Sequence, residues 1–170
     1  MITYLDVETT FVVDENRRTD PSPFNSQNKL VSVQYAMDDG DIDFHWFYHK
    51  DFTGECKQSF TKVQEVLDKT TVLVGHNIKF DLVWLWESGF KYKGKVYDTM
   101  IGEYILLRQQ KFGLSLYDSC VRRKVAIKKS DLVSDYLKDG TGFDTMPMAT
   151  VEEYGIADIE STRQLYKAQF

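Results

Sequence analysis

Residues 2–10, Ile-Thr-Tyr-Leu-Asp-Val-Glu-Thr-Thr, begin as a strand apolar on both faces and end in two acids. Such a strand belongs in the middle of a covered sheet. Alternation puts Asp6 and Glu8 on one face, roughly 6.6 Å apart along the strand. Two anions so placed repel unless a cation lies between them, or unless the strand end frays into water. The strand itself is expected over Ile2–Val7.

Working outward, Leu30–Met37 and Ile42–Tyr48 read as two further strands, joined by the hairpin signal Asp38-Asp39-Gly40-Asp41. The polar stretch Asp14–Lys29, with Pro21 and Pro23, reads as a long loop, a length that tends to carry function. Ser59–Asp68 has helical spacing, and Thr71–Val74 is a short buried strand leading straight into a helix over Ile78–Glu87. Lys95–Tyr97 is a last strand. Helices follow over Thr99–Arg108, Leu114–Val121, Asp131–Leu137 and Val151–Ala168. Strands fill the first third and helices the last half, which predicts an α/β domain whose antiparallel hairpin leads into α-β-α units.

A length of 170 residues predicts one domain, over 1–170, with room for no polymerase, helicase motor or kinase beside it. With 42% hydrophobic and 28% charged residues the chain is globular rather than disordered. No apolar run reaches the roughly 18–20 residues of a membrane span. The N-terminus lacks a basic start and an apolar signal core, so a cytoplasmic location is expected, the host's if a phage encodes the chain. A net charge of −5 argues against a nucleic-acid partner only if the acids are spread over the surface. Two bound divalent cations would cancel most of it. Cys56 and Cys120 match no zinc or redox spacing and read as inert thiols.

Two further acids stand where core residues should. Asp81 opens the helix after Thr71–Val74, among Phe80, Leu82, Val83, Trp84, Leu85 and Trp86. Alone, it reads as a carboxylate favoured near a helix N-terminus, with Asn77 as N-cap. Thr150 and Glu153 have capping-box spacing, which starts the last helix at Val151. Helical spacing then aligns Val151, Tyr154, Asp158, Ser161 and Leu165 on one packing stripe, with an acid in its middle. Tyr154 lies one turn before Asp158, so its hydroxyl points the same way. Gly155, Ala157 and Ser161 leave room for another backbone or a ligand to approach. Four acids from three segments invite a common hard cation, Mg²⁺ or Mn²⁺. Two such ions about 3.5–4 Å apart clamp the attacking and leaving oxygens of a phosphoryl displacement.

Three stretches, LDVETT (5–10), GHNIKFDL (75–82) and YGIAD (154–158), resemble the three motifs of the DEDD 3′→5′ exonucleases, in order and at family-like separations. The Tyr-x-x-x-Asp form of the third is that of the tyrosine branch. No histidine lies four or five residues before Asp158, which excludes the histidine branch. Asp98-Thr99-Met100 also looks like the family, and DPSPFN (20–25) with KLVSVQYA (29–36) resembles proofreading domains of phage family A DNA polymerases. The resemblance implies a ribonuclease H-like fold, a mixed five-stranded sheet flanked by helices. It implies that Asp6, Glu8 and Asp158 hold a first metal, and that Asp6 bridges to a second supported by Asp81. Tyr154 would orient the attacking water. Glu8, Thr9 and Asn77 match positions that contact the terminal nucleotide, and Phe11 or Val12 would wedge against the last base.

The activity so implied is release of nucleoside 5′-monophosphates from the 3′ end of single-stranded or frayed DNA, with a DNA polymerase as partner in trans or fused. An RNA-trimming enzyme resembling RNase D, or an idle domain that binds nucleic acid or a polymerase, are the alternatives. An idle domain would be expected to lose carboxylates that this chain keeps.

Other features have plainer readings. Arg122, Arg123, Lys124, Lys128 and Lys129 form either a solvated helix end or a phosphate rail, and Lys91, Lys93 and Lys95 a weaker basic patch. His45 and His49, roughly 13 Å apart on an extended strand, cannot share an ion. Asp39, Asp41 and Asp43 mimic a calcium loop but lack its glycine and terminal glutamate, and so read as a turn. Gly140-Thr141-Gly142 is a hinge at most.

Overall fold

The computed structural model describes residues 1–13, 15–16, 18–108, 110–125 and 131–170. In chain order its elements are β1 (Ile2–Thr9), β2 (Val12–Val13), β3 (Thr19–Asp20), β4 (Leu30–Met37), β5 (Ile42–Trp46), α1 (Cys56–Lys69) and β6 (Val72–Gly75). There follow α2 (Lys79–Glu87), β7 (Lys95–Asp98), α3 (Thr99–Leu106), α4 (Leu116–Arg123), α5 (Asp131–Lys138) and α6 (Met148–Ala168).

Five strands make one mixed sheet in the order β5-β4-β1-β6-β7. The hairpin β4–β5 pairs antiparallel with β1, whereas β6 and β7 run parallel to it. With helices on both faces, this is the ribonuclease H-like architecture expected above. β1 is central, as its two-sided apolar character requires. Leu5 and Val7 pack on one face against Val63 and Leu67 of α1 and Leu82 and Leu85 of α2. Tyr4 faces the other way, toward Ile159 of α6. Burying each Leu or Val of these layers contributes about 1.5–3 kcal/mol. Alternation then turns Asp6 and Glu8 to the α6 side.

Two irregularities of β1 shape the site. β6 accompanies only Ile2–Tyr4 before it ends, so the outer half of β1 loses its parallel neighbour. On the other edge the register slips between Glu8 and Thr9, which face Ser32 and Leu30 and leave Val31 as a bulge. Bulges of this kind re-aim side chains beside active sites.

Several local expectations need correction. The stretch Asp14–Lys29 is not all loop, because β3 within it pairs antiparallel with β2 just before it. The last helix begins at Met148 with Pro147 as N-cap, and no side chain caps it, so Thr150 and Glu153 lie inside the first turns. Proline sets the entry one turn early. Asn77 does not cap α2 either. It sits in the left-handed region at φ 58, and Ile78 is the N-cap. Gly140, at φ 80, terminates α5.

The basic cluster divides. Arg122 and Arg123 turn inward onto the fully buried carboxylate of Glu103, at 2.9 and 2.7 Å, which ties α4 to α3. Gln169, past the end of α6, donates to the same carboxylate at 3.1 Å. These two arginines are thus not a phosphate rail. Lys124 is exposed, and Lys128 and Lys129 lie outside the described residues. Lys91, Lys93 and Lys95 remain on the surface. His49 contacts the Met146 carbonyl through Nε2 at 2.8 Å, and His45 lies 3.3 Å from the Tyr35 hydroxyl, so both are satisfied within the protein. Asp39 closes its turn by pairing with Lys167. Among the described residues no helix is long and apolar enough to cross a membrane.

Candidate active site

The outer half of β1 delivers Asp6 and Glu8, and the middle of α6 delivers Asp158 from above the same face. One oxygen from each of the three carboxylates lies within 4.8 Å of the others. Glu8 and Asp158 are buried, at 6% and 4% exposure, and Asp6 is partly so. Asp158 reaches this depth because the stripe Val151, Tyr154, Asp158, Ser161 and Leu165 is buried throughout. Three carboxylate donors at this spacing form an all-oxygen hard set, which fits Mg²⁺ or Mn²⁺ and suits softer metals poorly.

Asp81 stands beside this trio rather than within it. It approaches round the edge of β1 that β6 has vacated and accepts the Val7 N–H at 3.0 Å. Burial raises its pKa well above the usual carboxylate range, and the nearby Asp6 charge adds to the rise, while the Val7 N–H opposes it. A cation shared with Asp6 would remove that cost.

Tyr154 is buried at 8% exposure, one turn before Asp158. Burial first, then the charges of Asp158, Glu8 and Asp6, push its pKa far upward, and its hydrogen bond to Asp158 adds to the shift. The phenol stays protonated and acts as a donor.

The sequence reading missed Gln34. Directly opposite Asp6 in the β1–β4 register, it donates through Nε2 to Asp6 Oδ2 at 2.7 Å and reaches Glu8 Oε1 at 3.5 Å. Ser32, opposite Glu8, donates its hydroxyl to Gln34 Oε1 at 3.2 Å. The signal was present in LVSVQYA: two polar residues at i and i+2 in an otherwise apolar central strand share a face. Gly155 makes room for this amide, not for a backbone or ligand. A Cβ there would stand 2.9 Å from Gln34 Cδ and Nε2.

Two cavities lie at the outer end of β1. One of about 390 Å³ lies beside Glu8 and is lined by Thr9, Phe11, Pro21, Phe80, Leu137 and Phe143 among others. The other, about 330 Å³ and more polar, is lined by Thr10, Phe11, Val12, Asn28, Tyr48 and Asp144 among others. Phe11 borders both and Val12 only the second. Of the two wedge candidates, Phe11 therefore has the dividing position. Asn77 is exposed, and its backbone N–H is pinned by Asp98 Oδ1 at 3.0 Å, an oxygen that also caps α3 through Met100 N at 2.8 Å. A wider apolar groove of about 600 Å³ between α2, β7 and α3 holds none of the three clustered carboxylates.

Comparison with known proteins supports the family and the fold. A family model described as 3′-5′ exonuclease matches residues 19–168, a span that includes Asp81, Tyr154 and Asp158 and begins after Asp6 and Glu8. None of the curated proteins compared is similar enough to count as a match. Among solved structures, one described as the apo form of a nuclease superposes with a TM-score of 0.65 at 21% identity, over 99% of this chain and 70% of the other. NrnC of Brucella melitensis bound to pGG gives 0.63 at 20% identity, over 99% and 71%. The family B DNA polymerase of the archaeon Pyrobaculum calidifontis gives 0.60 at 17% identity, over 98% of this chain and 24% of that one. At these identities the likeness is one of fold. The family match spans most of the chain, and the chain belongs to the 3′-5′ exonuclease family.

Proposed function

We propose that residues 1–170 form one metal-dependent exonuclease domain that trims single-stranded or frayed DNA from its 3′ end and proofreads for a DNA polymerase, fused or in trans. The observation that carries the reading is the meeting of Asp6, Glu8 and Asp158 within 4.8 Å, beside a largely apolar cavity. Asp6, Glu8 and Asp158 would hold one divalent cation and Asp6 with Asp81 a second, each Mg²⁺ or Mn²⁺. Bound there, such ions supply charge neutralisation at the phosphate and a water of lowered pKa.

The chain's own groups do the rest. The protonated Tyr154 hydroxyl orients the attacking water. The cavity lined by Thr9, Phe11 and Phe80 takes the terminal base, where aromatic stacking contributes about 1–3 kcal/mol per base. Phe11 separates that base from the next, and the exposed Asn77 amide meets the terminal nucleotide. Water adds across the P–O3′ bond: its oxygen joins phosphorus, and O3′ leaves as the hydroxyl of the shortened strand. The product is a nucleoside 5′-monophosphate. Cys56 and Cys120 are thiols rather than disulfide partners, which suits a reducing compartment such as the cytoplasm.

A second reading, RNA trimming, draws on the solved complex of the structurally similar NrnC with pGG. One experiment separates the two. DNA and RNA oligonucleotides of equal sequence, labelled at the 5′ end, are incubated with Mg²⁺, Mn²⁺ or EDTA and followed on a gel. A DNA ladder shortening from the 3′ end and abolished by EDTA is expected. A ladder on RNA alone would keep the chemistry and reject the DNA substrate, and no ladder on either would reject the enzyme.

A further inference from the structure

We infer that Gln34 is a positioning residue that holds Asp6 and Glu8 in their cation-binding arrangement before any cation arrives. The inference rests on the metal-site reading proposed above. Gln34 is fully buried, and each end of its amide is committed. Its oxygen accepts the Ser32 hydroxyl at 3.2 Å, which leaves Nε2 facing Asp6 Oδ2 at 2.7 Å and Glu8 Oε1 at 3.5 Å. An NH₂ group has two protons to give, one for each carboxylate. A flipped amide would set its oxygen against both anions and waste the serine, so one orientation is fixed.

The cross-strand register makes this a row rather than an isolated contact. Asp6 stands opposite Gln34 and Glu8 opposite Ser32, so each acid of β1 has a polar partner on β4. From above, Gly155 of α6 closes on the amide so tightly that a Cβ would lie 2.9 Å from it. The choice of residue has chemical sense. A lysine or arginine in this place would neutralise the carboxylates and compete with the cation. An amide orients them through two neutral donors and leaves their charge for the metal. Groups that orient metal ligands in this way change affinity by about 10- to 100-fold when removed.

The test uses Mn²⁺ alone, titrated calorimetrically into metal-free protein, with folding of each variant checked by circular dichroism. Gln34→Met keeps the length and removes the donors, and it should weaken Mn²⁺ binding by about 10- to 100-fold. Its gain in melting temperature on adding Mn²⁺ should shrink accordingly, because a ligand stabilises only as far as it binds. A purely structural Gln34 would instead lower the melting temperature equally with and without metal and leave affinity intact, which would overturn the inference. If Gln34→Met does not fold, Ser32→Ala serves, since it frees the amide to turn. A few-fold loss of affinity is then expected, and wild-type affinity would overturn the inference. Wild-type protein that binds no Mn²⁺ would overturn the metal-site reading and this inference with it, a result distinct from loss in the variants alone.

Discussion

The backbone N–H of Val7 donates to the Asp81 carboxylate at 3.0 Å, at the place where the central strand has outrun its parallel neighbour. One side chain thus completes the hydrogen bonding of a strand edge and sets a fourth acid beside Asp6. The two roles separate by substitution. Asp81→Asn keeps an acceptor for Val7, so the melting temperature should hold or rise while cleavage falls steeply. Asp81→Ala also leaves the buried N–H unsatisfied and should cost a further ~1–3 kcal/mol of stability. Equal melting temperatures for the two variants would contradict the edge-completing role.

Asp6→Ala should abolish divalent-dependent cleavage and leave the fold intact. Loss of metal-based stabilisation worth several kcal/mol lowers the rate by about 10³-fold at ~4 kcal/mol. Without metal, relief of repulsion in the crowded cluster offsets the lost acceptor for the buried Gln34 amide, so the melting temperature should change little. Cleavage at the wild-type rate would sink the site assignment.

Tyr154→Phe should cost less, about 10²-fold in rate, because the carboxylates keep their places and only the hydroxyl that orients the water is lost. Single-turnover cleavage beside a Mn²⁺ titration reads this directly. Affinity should stay close to wild type while the rate falls. An affinity loss as large as that expected for Gln34→Met would mean the phenol supports the metal site through Asp158.

Glu103 predicts a response to acid. Burial raises its pKa, but hydrogen bonds from Gln169, Arg123 and Arg122 outweigh burial and hold it below the ordinary glutamate value. A carboxylate shifted down in this way adds stability above its unfolded pKa, about 4.3, and loses it as pH falls through the folded value. Glu103→Gln should cost about 3 kcal/mol at pH 7, the low end for breaking a buried pair, since both guanidinium groups keep some contact with water. Below about pH 4 the gap between variant and wild type should narrow in chemical denaturation. A gap that does not change with pH would show that the carboxylate contributes by packing.

Much of this was legible in the chain because two periodicities carry most of the information. Alternation along residues 2–10 placed Asp6 and Glu8 together, and helical spacing placed Asp158 and Tyr154 on the buried stripe of α6. Helix entries were less legible. Thr150 and Glu153 have capping-box spacing, yet Pro147 starts the helix a turn earlier, and Asn77 takes a left-handed turn instead of a cap. At the first junction Pro147 overrides the capping-box spacing, and at the second the chain direction out of β6, which side-chain type does not encode, turns Asn77 left-handed. Gln34 was missed for another reason. Its value lies across the sheet, in register with Asp6, and register is a property of two segments at once.

The carboxylates of the site come from opposite ends of the chain, positions 6 and 8 on β1 and position 158 on α6. Contacts so distant in sequence are among the last to form, since the intervening chain must be ordered before they can close. A chain in which α6 has not yet docked therefore carries a sheet edge with two acids, Gln34 beside them, and no third carboxylate above. Closure of the three-carboxylate cluster therefore reports the docking of α6, and a fold opened at that helix keeps two of the acids and loses the cluster.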